Sequence, residues 1–119
     1  MARTSITKST LQGPYPTLPV TANLLDLTFE AADVANKNQF AGAGDDILLA
    51  WNTDGANPYT VTFTSVADDK KRTGDVTTYS IGAGEIAAFR FKDAGWKQSD
   101  GKVYVEAENA AVKFAVVAL

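Results

Sequence analysis

The pattern of apolar and polar side chains between Asp46 and Phe91 predicts four successive strands, over residues 47–52, 59–66, 76–81 and 85–91. In the second run Tyr59, Val61 and Phe63 fall on one face and Thr60, Thr62 and Thr64 on the other, the period of two of a half-buried strand. Residues 47–51, Ile-Leu-Leu-Ala-Trp, are apolar on both faces, which suits a central strand. Upstream, Leu25, Leu27 and Phe29 alternate with Asp26, Thr28 and Glu30 to predict a first strand, and residues 31–38 after it have the flavour of a turn. Downstream, Val103 and Val105 alternate with Tyr104 and Glu106, and Val112, Phe114 and Val116 mark a final run. The nine glycines all lie outside these runs, and Asp100-Gly101 is the strongest hairpin signal in the chain. About eight short strands separated by turns predict an all-β fold, a single antiparallel β-sandwich or jelly-roll-like domain, over residues 24–119.

Residues 1–23 differ from this body. They hold three of the four prolines (Pro14, Pro16 and Pro19), the bases Arg3 and Lys8 and no acid, whereas the remainder carries all 14 acids. Proline spacing favours extended backbone outside a ladder, so an extended N-terminal arm is expected. Its apolar side chains Ile6, Leu11, Tyr15, Leu18 and Val20 have little use in solvent, which marks them as candidate partner-binding residues.

At 119 residues the chain suits one domain. A net charge of −3 argues against a nucleic-acid partner, because phosphate binding needs clustered Lys and Arg. No apolar run approaches the roughly 18 residues of a membrane span, and the N-terminus lacks the apolar core of a secretory signal, so no membrane partner and a cytoplasmic origin are expected. The chain has no Cys and no His, which removes disulfides, thiolate nucleophiles, Ser-His-Asp catalysis and His-ligated metal centres. No enzyme activity and no cofactor are expected.

The remaining candidate chemistry is sparse. The glycine-rich stretch 40–46 lacks the following helix and the Lys-Ser/Thr of a phosphate loop, and Asp45 and Asp46 fall far short of the six to eight oxygens that calcium takes; both acids read as part of a solvated loop. Lys70, Lys71 and Arg72 form a basic run inside a loop whose acids nearly neutralise it, and a protruding charged loop is a place for a neighbour to dock. Trp51, Trp96, Tyr59, Tyr79 and Tyr104 are aromatics that could stack on sugar rings, against the commoner role of core packing. Glu106 and Glu108 share a strand face, with nothing around them to make a catalytic pair.

Residues 52–66 (Asn-Thr-Asp-Gly-Ala-Asn-Pro-Tyr-Thr-Val-Thr-Phe-Thr-Ser-Val), 72–75 (Arg-Thr-Gly-Asp), 80–85 (Ser-Ile-Gly-Ala-Gly-Glu), Gly95-Trp96 with Gln98, and the ending 112–119 together resemble small structural proteins of tailed bacteriophage virions. The resemblance covers about residues 45–119 and is carried by turns and strands, with no catalytic signature. It implies a capsid decoration protein on the virion surface, made in the host cytoplasm, whose partner is the major capsid protein or another virion protein. It also implies a homo-oligomer, with a trimer favoured. The competing expectation is a carbohydrate- or receptor-binding sandwich of a tail fibre.

Overall fold

The computed structural model describes residues 2–10, 26–67 and 69–118. Ten strands run in chain order as β1 (Thr4–Ser5), β2 (Lys8–Thr10), β3 (Glu30–Ala31), β4 (Asn38–Ala41), β5 (Asp45–Asn52), β6 (Tyr59–Thr64), β7 (Val76–Ile81), β8 (Ile86–Lys92), β9 (Lys102–Ala107) and β10 (Val112–Ala118). They build two five-stranded sheets. One is ordered β1-β4-β9-β6-β7; the other is β2-β10-β5-β8, with β3 also on β10.

Strands β3 to β10 pair as nested antiparallel partners: β3 with β10, β4 with β9, β5 with β8 and β6 with β7. This is the pattern of one long ribbon folded back at the β6–β7 loop and rolled into two layers. The layers meet through Phe40 and Phe63 of one sheet and Phe89 and Phe91 of the other, with Phe63 edge-on to Phe89 at 4.6 Å and to Phe91 at 5.1 Å. The alternation predicted the inward faces of β6 and β10 correctly. Val61, Phe63, Val112, Phe114 and Val116 are all buried in the core, and burying each such side chain contributes about 1.5–3 kcal/mol. Asp100-Gly101 forms the expected tight turn, with Gly101 at φ +84° and the Lys102 N–H donating to the Asp100 carboxylate at 3.0 Å.

The N-terminal segment is where expectation and structure part. Residues 4–10 do not leave the body as an arm; they supply a margin strand to each sheet, so the sheets are mixed rather than purely antiparallel. β1 runs parallel to β4, and β2 runs parallel to β10. Between them Ile6 turns into the core, 5% exposed, while its N–H donates to the Gln39 carbonyl at 2.8 Å. Ile6, expected to seek another chain, is consumed by its own. Leu11, Tyr15, Leu18 and Val20 lie outside the described residues.

Three smaller corrections follow from pairing that the local pattern did not carry. Leu25 of the predicted first strand lies outside the described residues, and among its described residues the ladder begins at Glu30, because β10 shares that margin between β2 and β3. The glycine-rich stretch begins with a strand, β4. Asp45 and Asp46 open β5 and so point to opposite faces.

Candidate functional site

The charged loop between β6 and β7 is a built structure. Asp75 accepts hydrogen bonds from the Ser65 N–H at 2.8 Å and from its hydroxyl at 2.6 Å, and the Ser65 hydroxyl oxygen accepts from the Gly74 N–H at 2.9 Å. These bonds, the Ser65 hydroxyl first, hold the Asp75 carboxyl below its ordinary range. Closing the loop at its base leaves Lys70, Lys71 and Arg72 exposed at its outer turn, with Lys71 in the left-handed region at φ +60°.

Beside the loop lies a cleft of about 370 Å³, walled by Ser65, Val66, Asp69, Arg72 and Thr73 on one side and by Ala94, Gly95 and Trp96 on the other. Gly95, at φ +93°, turns its carbonyl to accept the Val66 N–H at 2.7 Å and so joins the two walls. Gln98 adds a second tie, donating from Nε2 to the Thr64 carbonyl at 3.0 Å. Trp96 is anchored edge-on against Phe91 at 5.1 Å. The sequence placed the basic run and Trp96 in separate loops, and only the fold brings Arg72 of that run to the same cleft as Trp96.

The other candidate aromatics do not converge on this cleft. Trp51, on the outer face of its sheet, packs edge-on against Phe29 at 5.5 Å. Tyr59 and Tyr104 donate their hydroxyls to Asp54 (3.4 Å) and Asp100 (2.6 Å) in neighbouring turns. Arg3 lies over the Tyr104 ring at 4.1 Å. Tyr79 stands against Phe89 at the margin between β7 and β8.

The carboxylates are occupied in structural roles. Asp46, 1% exposed, pairs with the Lys8 ammonium at 2.8 Å and accepts the Ala43 N–H at 3.0 Å, while Lys8 also donates to the Ala41 carbonyl at 2.7 Å. Asp46 is therefore a buried anchor for the N-terminal strand, not part of a solvated loop. Asp45 takes both guanidinium donors of Arg90, the first at 2.8 Å. With two separate partners on two faces, Asp45 and Asp46 cannot clasp one cation. Asp33 caps its own turn through the Asn36 N–H and accepts the Thr4 hydroxyl at 2.6 Å. Glu106 is paired with Arg3 and Lys37, whereas Glu108 accepts the Thr60 N–H, so they form no acid pair. Among the described residues no three His, Cys, Asp or Glu side chains gather as metal ligands, and no helix is long and apolar enough to cross a membrane.

Two features escaped the sequence reading. The Lys8–Asp46 pair joins residues far apart in the chain, and the outer margin of β8 is defined only by sheet order. No protein-family model, no curated protein and no solved structure matches the chain.

Proposed function

We propose that this chain is a non-enzymatic structural protein of a phage virion, bound to the capsid surface as a decoration protein. The observation that carries the reading is the strand order. Eight antiparallel strands in nested pairs, β3-β10-β5-β8 over β4-β9-β6-β7, support a jelly roll, an architecture used by viral shell and lectin domains. Fold alone does not fix function, so the reading also draws on the resemblance of residues 45–119 to virion proteins and on the exposed basic loop. Carboxylates engaged in turns and ion pairs, rather than gathered in a cleft, fit a binding role. In this reading Lys70, Lys71 and Arg72 meet an acidic patch of the major capsid protein or a neighbouring virion protein.

The test is to add the purified protein to shells stripped of decoration and measure occupancy. The wild-type protein should saturate them, and replacing Lys70, Lys71 and Arg72 together by Glu should weaken attachment at least tenfold, about 1.4 kcal/mol. Absence of wild-type binding, or equal occupancy by the variant, contradicts the reading.

One observation favours a second reading, a carbohydrate-binding module of a tail fibre. Trp96 forms an apolar wall of a cleft that Asp69, Arg72 and Thr73 line with polar groups, and aromatic walls with a few polar groups suit small ligands. Glycan binding abolished by Trp96→Ala would replace the decoration reading.

A further inference from the structure

We propose that the outer margin of β8 is a pairing surface for a second copy of this chain, joined antiparallel across a two-fold axis at Ala88. The inference rests on the margin alone and not on the virion reading.

Strand β8 ends its sheet. It pairs with β5 over all seven residues without a shift in register, from Asp45↔Lys92 to Trp51↔Ile86. The phase of the ladder is set at its two ends, where the Asn52 N–H donates to the Glu85 carbonyl at 3.0 Å and the Asp93 N–H to the Gly44 carbonyl at 3.4 Å. Antiparallel ladders alternate hydrogen-bonded and non-bonded pairs. Phe91, Phe89 and Ala87 therefore bond toward β5, and Ile86, Ala88 and Arg90 turn their N–H and C=O groups away from it. Among the described residues no hydrogen bond reaches those outward groups. Ile86 is 55% exposed, and Ala88 and Arg90 are also exposed.

Sheet margins are normally blunted by bulges, prolines or charged side chains, and of these β8 carries only the charges of Arg90 and Lys92. The neighbouring margin strand β7 is blunted by a bulge. Its register slips between Val61↔Tyr79 and Phe63↔Val76, which places an extra residue opposite Thr62, and Thr78 there has φ +53° with its N–H turned to the Thr62 hydroxyl. Such a bulge twists a margin away from pairing. β8 has no proline, no bulge and no positive φ among its residues.

The margin is also complementary to itself. With Ala88 opposite Ala88 of the second copy, the outward groups of Ile86 meet those of Arg90, and the smallest side chain sits at the axis. Each Arg90 then faces an Ile86 rather than another Arg90, and its charge is already met by Asp45 on the far side. Lys92 falls beside the turn that carries the exposed Glu85 of the other copy. Opposite charges approach and like charges stay apart, as a stable strand pair requires.

Sedimentation of the purified chain over a range of concentrations, with single substitutions at Ala88, tests the proposal. The wild-type protein should be a concentration-dependent dimer. Ala88→Pro removes an outward N–H that β5 does not use, and Ala88→Lys sets two charges face to face at the axis; each should raise the dimer dissociation constant at least tenfold while leaving the circular dichroism of a folded β protein. A wild-type monomer or trimer, or Ala88→Lys dimerising like the parent, overturns it.

Discussion

Along one side of the sandwich, β1 and β2 border the two sheets and the space between them is filled; along the other, β7 and β8 border the same two sheets and the space is closed only by side chains. The filled side has Ile6 in the core, Lys8 on the buried Asp46, and Arg3 donating to the Asn38 carbonyl at 3.1 Å. The other side has Tyr79, 48% exposed, against Phe89, with Ile86 beyond it. A small core of this kind reaches stability by closing one flank with its own N-terminus. The opposite flank carries the β8 margin proposed above to pair with a second copy.

The largest effect that separates the two sides is expected from removing residues 1–10. An arm lying on another chain could be deleted without harm to the fold, whereas this segment takes with it both Ile6 and the partner of Asp46. Loss of about 5 kcal/mol or more is expected, enough to unfold a domain whose total stability is of order 5–15 kcal/mol. A thermal melt like that of the full chain would return the segment to the role of a free arm.

Lys8→Ala comes next. It leaves a carboxylate in the interior without its cation, and breaking a buried pair from one side costs about 3–5 kcal/mol; Lys8 is 19% exposed, which places the loss toward the lower end. Chemical denaturation of Lys8→Ala beside Lys8→Ala/Asp46→Leu should show the double variant recovering part of the loss. Ile6→Ala should cost about 2–5 kcal/mol through lost burial and a cavity. Ile86→Ser, on the other flank, should change the monomer's stability by no more than about 0.5 kcal/mol. Equal losses at Ile6 and Ile86 would erase the distinction between the two sides.

Much of the frame was legible because it is local. Strands β6, β8 and β9 each carry a run of alternating side chains, β5 is an apolar run, and the turn at Asp100-Gly101 uses the residue types its geometry demands. β4 was not legible: Asn38-Gln-Phe-Ala41 offers one large apolar residue before the glycines begin, and Asn38 is buried for a polar reason, its Oδ1 accepting the Asp33 N–H at 2.8 Å. The N-terminal strands were obscured by Pro14, Pro16 and Pro19, which coloured the reading of the whole segment. Taken alone, residues 4–10 are rich in Thr and Ser around Ile6 and have strand character. Parallel pairing of β1 with β4 and β2 with β10 has no signature within either strand. Of the candidate site, the basic loop was visible as a charge run; its cleft and the β8 margin arise from distant segments meeting.

A smaller, pH-dependent effect also divides the molecule. The Thr4 hydroxyl, followed by the Asn36 bonds, lowers the Asp33 carboxyl, and Arg90 lowers that of Asp45. A carboxyl lowered by folding binds fewer protons in the native state than in the unfolded one. The stability it contributes is present above the unfolded value, about pH 4, and is lost as pH falls through the lower folded value. Melting temperature should thus hold steady above about pH 5 and fall below about pH 4, and Asp33→Asn should make that fall shallower. A melting temperature that rises on acidification would contradict these pairings.

Residue-resolved hydrogen exchange of the native protein tests the contrast between the two flanks most directly. The Ile6 N–H, bonded to Gln39, should be protected to the level of core amides at every protein concentration. The outward N–H groups of Ile86, Ala88 and Arg90 should exchange freely in dilute solution and become protected together as concentration rises. An Ile6 amide that exchanges at the rate of an unstructured chain, or an Ala88 amide equally protected at all concentrations, would contradict the account.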